Sequence, residues 1–90
     1  MKYDVQISNL VKKAIRKGLI SKGQLLGVVD DFLYWLEGKD INIDVKKLSG
    51  EWQGFYRIRR GSFRIVVIPR YEDEVIYVQQ VAKRYKAYKK

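Results

Sequence analysis

The sequence predicts an α+β domain with the order β-α-α-β-β-β, in which two N-terminal helices pack on a mostly antiparallel four-stranded sheet. Three observations lead to this prediction. Hydrophobic residues recur at helical spacing in residues 10–36, whereas they alternate with polar residues in residues 3–7 and again from residue 55 onwards. Glycine, proline and short polar stretches separate these segments, and we expect one domain covering residues 1–90.

The first predicted strand and helix follow from residues 3–19. Residues 3–7 alternate between apolar and polar side chains, which indicates a half-buried strand. Ser8 or Asn9 can cap the helix that follows, because either side chain can accept a hydrogen bond from a free backbone N–H. The apolar residues of this helix are Leu10, Val11, Ala14, Ile15 and Leu19.

The second helix begins at a recognisable capping motif. Ser21-Lys22-Gly23-Gln24 fits a capping box, in which the serine and glutamine side chains each accept a hydrogen bond from the other residue's backbone N–H. Gly38 is a suitable end for this helix. Its predicted core residues are Leu25, Leu26, Val29, Phe32, Leu33 and Leu36. Its acidic residues are predicted to form a solvated face: Asp30, Asp31 and Glu37.

The second half of the chain predicts strands joined by short turns. Residues 39–54 carry turn signals and are predicted to form a loop with a partial strand. Three strands follow, at about 55–60, 63–69 and 74–83. Pro69 is predicted to end the middle one, because proline cannot donate a hydrogen bond to the ladder.

The turn between the first two of these strands sets their register. If Gly61-Ser62 forms a two-residue turn, Arg59 lies opposite Arg64 and Ile58 lies opposite Ile65. One face of this hairpin carries Arg57, Arg59 and Arg64, and we call it the arginine face. The core face is predicted to consist of Tyr56, Ile58, Phe63, Ile65 and Val67.

The arginine face needs a physical explanation, since like charges directly opposite each other destabilise a sheet. One interpretation is that the charges keep an exposed face soluble. The other is that the face binds an anion, because guanidinium groups are suited to bidentate contacts with phosphate. We favour anion binding, since a solubilising surface usually mixes both signs of charge and neither of these strands places an acidic residue there.

The net charge of +9 is concentrated in the second half of the chain. Residues 1–44 hold seven basic and six acidic side chains, whereas residues 45–90 hold twelve basic and four acidic ones. A field of this kind favours nucleic acid, an anionic membrane or an acidic protein as the partner.

Composition also limits the kinds of site that the chain can form. It has no cysteine and no histidine, so we expect no disulfide, no bound metal and no cofactor, and acid–base chemistry must use other side chains. There is no signal-peptide core and no apolar run long enough to span a bilayer. We therefore expect a cytoplasmic protein that does not enter a membrane.

The C-terminal segment RYKAYKK, residues 84–90, interleaves aromatic rings with cations. This composition is typical of a surface that stacks on bases and binds phosphates. Pairing of the last strand places either Lys83 or Arg84 beside the arginine face, depending on a one-residue slip in register.

Two segments, KKLSGEWQGFYRIRRGSFRIVV and VIYVQQVAKRYKAY, resemble the RelE/ParE superfamily of type II toxin–antitoxin toxins. The resemblance covers residues 44–88 and implies a small cytoplasmic toxin that is neutralised by a cognate antitoxin. In the RelE-like members it implies an endoribonuclease, or mRNA interferase, that enters the A site of the 70S ribosome and cleaves mRNA. The ParE-like members instead inhibit DNA gyrase without catalysis, and a simple RNA- or membrane-surface-binding module is a third alternative.

The resemblance also implies which side chains act on the RNA, and the C-terminal composition adds others. The candidate catalytic residues are Arg59, Arg64, Arg84 and Tyr88. The candidate RNA-binding residues are Arg57, Lys83, Tyr85 and Lys86. No general base is evident, because arginine cannot be deprotonated in a protein and the chain lacks histidine. The remaining candidates for proton transfer are Tyr88, Tyr85 and Lys83, while Asp44 and Glu51 cannot be assigned to this face from the sequence.

Overall fold

The computed structural model describes residues 3–83, which form a five-stranded sheet with two α-helices on one face. The elements are β1 (Asp4–Ile7), α1 (Asn9–Arg16), α2 (Lys22–Leu36), β2 (Asp44–Lys47), a 3₁₀ turn (Gly50–Trp52), β3 (Tyr56–Arg60), β4 (Phe63–Arg70) and β5 (Val75–Lys83). The strand order is β1-β5-β4-β3-β2, with β1 parallel to β5 and the other neighbours antiparallel. The predicted α+β class is confirmed. The sheet has five strands rather than four, because the partial strand predicted in residues 39–54 pairs with β3.

A hydroxyl group ties the start of α1 to β5. Ser8 caps the helix by accepting a hydrogen bond from the backbone N–H of Val11, and its Oγ donates to the carbonyl of Gln79 at 2.7 Å. Gln79 is the extra residue of a β-bulge, since Val66 pairs with Gln80 whereas Val67 pairs with Val78. The bulge therefore offers a carbonyl group that fixes the position of α1 on the sheet.

The capping box of α2 is confirmed. The backbone N–H of Ser21 donates to Oε1 of Gln24 at 2.9 Å, and the backbone N–H of Gln24 donates to Oγ of Ser21 at 3.0 Å. The helix ends before Gly38, whose φ of 84° lies in the left-handed region that glycine adopts at low cost.

The core lies between α2 and the sheet. Phe32 is fully buried, with its ring 5.3 Å from that of Tyr56 and 6.0 Å from that of Trp35. The predicted core face of the β3–β4 hairpin is confirmed, since each of its five residues is buried or packs against the core. The prediction for Leu26 is wrong: this side chain is 39% exposed and Val28 is buried instead. Successive residues turn by about 100° around a helix, so Leu26 points away from the sheet.

The hairpin register is confirmed in full. Gly61-Ser62 forms the turn, Gly61 has a φ of 58°, and Arg59 lies opposite Arg64. Pro69 does not end β4, which continues to Arg70. At that point β4 pairs with β5 alone, because β3 begins opposite Val67, so the missing N–H of proline is tolerated as it is in an edge strand.

Ser8→Ala is expected to lower the free energy of unfolding by about 1–2 kcal/mol, the upper part of the range for a helix cap, since Ser8 also bonds to the β-bulge. Urea unfolding measures this, with Ser62→Ala in the exposed turn as the matched control. Equal losses for the two variants would show that the hydroxyl does not hold α1 on β5.

Candidate nucleic-acid interface

The three arginines of the arginine face lie on the side of the sheet opposite the helices. Ile58 and Ile65 are fully buried against the helix side, so their neighbours Arg59 and Arg64, which oppose each other, point the other way. Arg57 shares their face because it lies two residues before Arg59 on β3. The structure therefore brings these three predicted site residues together.

The neighbouring strand adds one acid and one further cation to this face. Asp44 lies opposite Arg59 and Lys46 lies opposite Arg57. Oδ1 of Asp44 is 3.4 Å from Nη1 of Arg57, and the Arg57 residue is only 8% exposed. Asp44 thus lies on the arginine face, which the sequence could not establish, and Glu51 lies exposed in the 3₁₀ turn outside the strands.

The exposure of the arginines separates their roles. Arg57 is buried and paired with Asp44, whereas Arg59 and Arg64 are half-buried and face each other. Two arginines opposite each other on one face create a positive potential, which favours binding of a ligand oxyanion there. This arrangement can stabilise negative charge that develops on a phosphoryl group, although it cannot remove a proton.

Arg60, at the end of β3, belongs to the other face. Its guanidinium forms an ion pair with Asp31 of α2. The sequence predicts that Asp31 is part of a solvated face, but this residue is half-buried and joins the second helix to the sheet. The hairpin therefore divides its arginines between a structural contact on the helix side and the arginine face.

Lys83 does not lie on the arginine face, so that alternative is wrong. It lies opposite Phe63, and its Nζ is 4.7 Å from the centroid of the Phe63 ring. Ala82 lies opposite Arg64 instead. The cause is the bulge at Gln79: an unbroken register would have put Lys83 on the same face as Arg64, and one extra residue turns it to the helix side. The other predicted site residues lie outside the described residues: Arg84, Tyr85, Lys86 and Tyr88.

A tyrosine with a shifted pKa lies away from the arginine face. Partial desolvation, followed by the neighbouring Tyr56, raises the pKa of Tyr71 above its ordinary value of 10, although the residue as a whole is exposed. Tyr71 lies in the turn after β4, seven residues beyond Arg64, and stays protonated at neutral pH.

Over residues 3–83, no three acidic side chains converge in a way that could hold a metal ion. Neither helix of this part of the chain has the length and apolar character needed to cross a membrane.

Asp44→Asn is expected to lower the free energy of unfolding by about 1–3 kcal/mol, because it leaves the buried guanidinium of Arg57 without an anionic partner. Arg64→Gln should change it by no more than about 0.5 kcal/mol, or raise it, since it removes a repulsion across the ladder. Urea unfolding of the two variants measures the contrast. A large loss for Arg64→Gln would mean that Arg64 is a structural residue.

No protein-family model and no curated protein sequence matches the chain significantly. Among solved structures, a chain of the archaeal RelE–RelB complex from Pyrococcus horikoshii OT3 is 28% identical, with 93% of this chain and 97% of that chain covered and a TM-score of 0.64.

More distant structures share the fold. A chain of the toxin–antitoxin complex RelBE2 from Mycobacterium tuberculosis is 21% identical, with 93% of this chain and 100% of that chain covered and a TM-score of 0.60. A mutant of YafQ from E. coli is 14% identical, with 98% of this chain and 100% of that chain covered and a TM-score of 0.59. The resemblance that the sequence indicated is therefore confirmed, and the chain has the fold of the RelE-like toxins.

Proposed function

We propose that this protein is the toxin of a type II toxin–antitoxin system and acts as a ribosome-dependent endoribonuclease that cleaves mRNA. The observation that carries the proposal is the pair formed by Arg59 and Arg64, which oppose each other on the sheet face away from the helices. The likeness to a chain of a RelE–RelB complex over 93% of the sequence supports the toxin role.

The proposed reaction needs no metal. The 2′-hydroxyl of an mRNA nucleotide loses its proton and attacks the adjacent phosphorus, and the bond to the 5′-oxygen of the next nucleotide breaks. That oxygen takes up a proton, so a cyclic phosphate and a free 5′-hydroxyl result. Arg59 and Arg64 stabilise the negative charge on the phosphoryl oxygens in the transition state. Arg57 is buried and paired with Asp44, so its proposed role is to support this face rather than to contact the RNA directly.

The roles proposed for the C-terminal residues are those that the sequence analysis predicts. Arg84 stabilises the leaving oxygen or the phosphate, and Tyr88 stacks on the nucleotide or exchanges a proton with it. Tyr85 and Lys86 contact the RNA. Lys83 is left out of this proposed site because it contacts Phe63 on the helix side.

The ribosome supplies what this site lacks. Arginines stabilise charge but do not accept a proton, and the chain has no histidine to do so. Holding the nucleotide with its 2′-hydroxyl in line with the scissile bond can lower the activation barrier by about 7–11 kcal/mol when the groups are well oriented. We therefore propose that mRNA in the A site of the 70S ribosome is the substrate.

The proposed protein partner is a cognate acidic antitoxin. The similar structures include two toxin–antitoxin complexes. An acidic segment that folds on binding would be attracted by the net charge of +9 and would neutralise the toxin by covering Arg59 and Arg64.

Free RNA is expected to be cut slowly or not at all, whereas mRNA in translating ribosomes should be cut quickly and should carry cyclic phosphate ends. The reason is that the arginine face can stabilise the transition state but cannot by itself orient a flexible strand. The measurement compares cleavage of one mRNA with and without ribosomes. Rapid cutting of the free mRNA would contradict the ribosome's role, and intact mRNA on ribosomes would contradict the nuclease itself.

A further inference from the structure

A second basic surface lies on the helix side of the molecule. Residues 5–29 contain no acidic side chain and five cations, all of which are exposed: Lys12, Lys13, Arg16, Lys17 and Lys22. We call these five residues the basic stripe. Over residues 3–83, none of them has a carboxylate within ion-pair distance. The net charge of residues 1–44 is close to zero and therefore gives no sign of this surface, because the acids of that half lie at Asp4 and from Asp30 onwards.

The helix geometry arranges four of these cations in two rows. Lys12 and Arg16 are four residues apart, as are Lys13 and Lys17, so each row spans about 6 Å along the axis. The opposite side of α1 packs towards β5 through Val11, which is fully buried. The basic stripe therefore points outwards from the helix layer, away from the arginine face.

Helix stability explains only part of the basic stripe. Lys13 and Arg16 lie in the last turn of α1, where cations interact favourably with the helix dipole. Lys22 is the first residue of α2, where the dipole disfavours a cation. Lys12 lies within α1, before its last turn. A ligand that carries closely spaced negative charges would explain Lys12 and Lys22, which helix stability does not.

We propose that the basic stripe binds the phosphate backbone of double-stranded RNA. Lysine ammonium groups bind phosphates as point charges, and four of the five cations are lysines. Lysine is depleted from protein–protein interfaces, which argues against an acidic protein as the partner. A helix that binds a membrane surface needs a continuous free apolar face, whereas α1 exposes one large apolar side chain, Leu10, and packs Val11 and Ile15 against the core.

Duplex binding by the basic stripe does not depend on whether the arginine face cleaves RNA. The two surfaces lie on opposite sides of the sheet and helix layers. One molecule can therefore hold a folded RNA on the basic stripe while a single strand occupies the arginine face.

The test uses the full chain and a duplex RNA of about 16 base pairs, the span that double-stranded RNA-binding domains cover. Fluorescence anisotropy measures the affinity over a series of salt concentrations. A variant with Lys12→Gln, Lys13→Gln and Arg16→Gln is expected to reduce the slope of log affinity against log salt by about three, close to one for each phosphate that the variant no longer neutralises. Glutamine is a good helix former, so α1 is retained.

A matched control removes the same charge elsewhere, through Lys39→Gln, Lys47→Gln and Arg70→Gln, and should keep the slope of the parent protein. A second variant, Lys17→Gln with Lys22→Gln, spares the last turn of α1 and should reduce the slope by about two. Thermal unfolding checks that each variant is folded.

The proposal is overturned if both stripe variants bind the duplex as the parent protein does. It is also overturned if duplex binding is lost only with Arg59→Gln and Arg64→Gln, since the arginine face would then be the duplex site. Loss of binding to phosphatidylserine-containing vesicles, with duplex binding unchanged, would assign the stripe to a membrane surface instead. Cleavage of mRNA on ribosomes is measured separately, so failure of the proposed nuclease leaves this result intact.

Discussion

Arg64→Ala is expected to lower the rate of mRNA cleavage about a hundredfold or more, the scale for losing one donor that stabilises the transition state. Arg64 is half-buried beside Arg59 on the sheet face opposite the helices, where the two guanidinium groups would hold the same phosphoryl group. The measurement is the single-turnover rate on mRNA in ribosomes, because it separates the chemical step from release of the product.

The control for this prediction is Arg70→Ala. Arg70 has the same side chain on the same face of β4, six residues from Arg64, which places it about 20 Å along the strand. The guanidinium of Arg70 lies near the ring of Tyr77 rather than beside Arg59. We expect Arg70→Ala to cleave mRNA within a few-fold of the parent protein. Equal losses for the two variants would mean that overall charge, rather than the Arg59–Arg64 pair, drives the activity.

Phe32→Ala is expected to lower the free energy of unfolding by about 3–5 kcal/mol, the typical loss for an aromatic residue that leaves a cavity in a core. Phe32 is fully buried between α2 and the sheet, and its ring contacts those of Tyr56 and Trp35. Marginal stability makes a loss of this size a large fraction of the total for a 90-residue chain. Urea unfolding of the purified variant measures it.

Tyr34→Ala is the matched control on the same helix. Tyr34 is 48% exposed, so its replacement should cost about 0.5 kcal/mol or a little more. A loss below about 1 kcal/mol for Phe32→Ala would contradict the assignment of the core, because truncating a buried aromatic side chain ordinarily lowers the free energy of unfolding by much more.

The hairpin and its faces could be predicted because local chemistry determines them. The alternation from residue 55 to residue 68 assigns each side chain to a face, and a glycine turn fixes which residues are opposite each other. The opposition of Arg59 and Arg64 follows from these two facts. The capping box at Ser21 and Gln24 was predictable for the same reason, since both partners lie within four residues.

Other features depend on contacts between distant parts of the chain. Four residues, Asp44–Lys47, form β2 only because β3 offers an edge, so the Asp44–Arg57 ion pair could not be derived from spacing. The bulge at Gln79 is stabilised by Ser8, 71 residues earlier in the chain, and it decides the face on which Lys83 lies. The basic stripe was missed because the net charge of residues 1–44 is close to zero. That sum does not show that the cations cluster on α1 and at the start of α2, whereas the acids lie elsewhere in this half of the chain.

Primer extension on mRNA from cells that express the protein, run beside an assay of supercoiling by DNA gyrase, tests the proposed nuclease directly. A nuclease that uses Arg59 and Arg64 should produce new 5′ ends within translated regions, should lose them with Arg64→Ala, and should leave supercoiling unaffected. Intact mRNA together with blocked supercoiling would contradict the nuclease and identify the protein as a gyrase inhibitor.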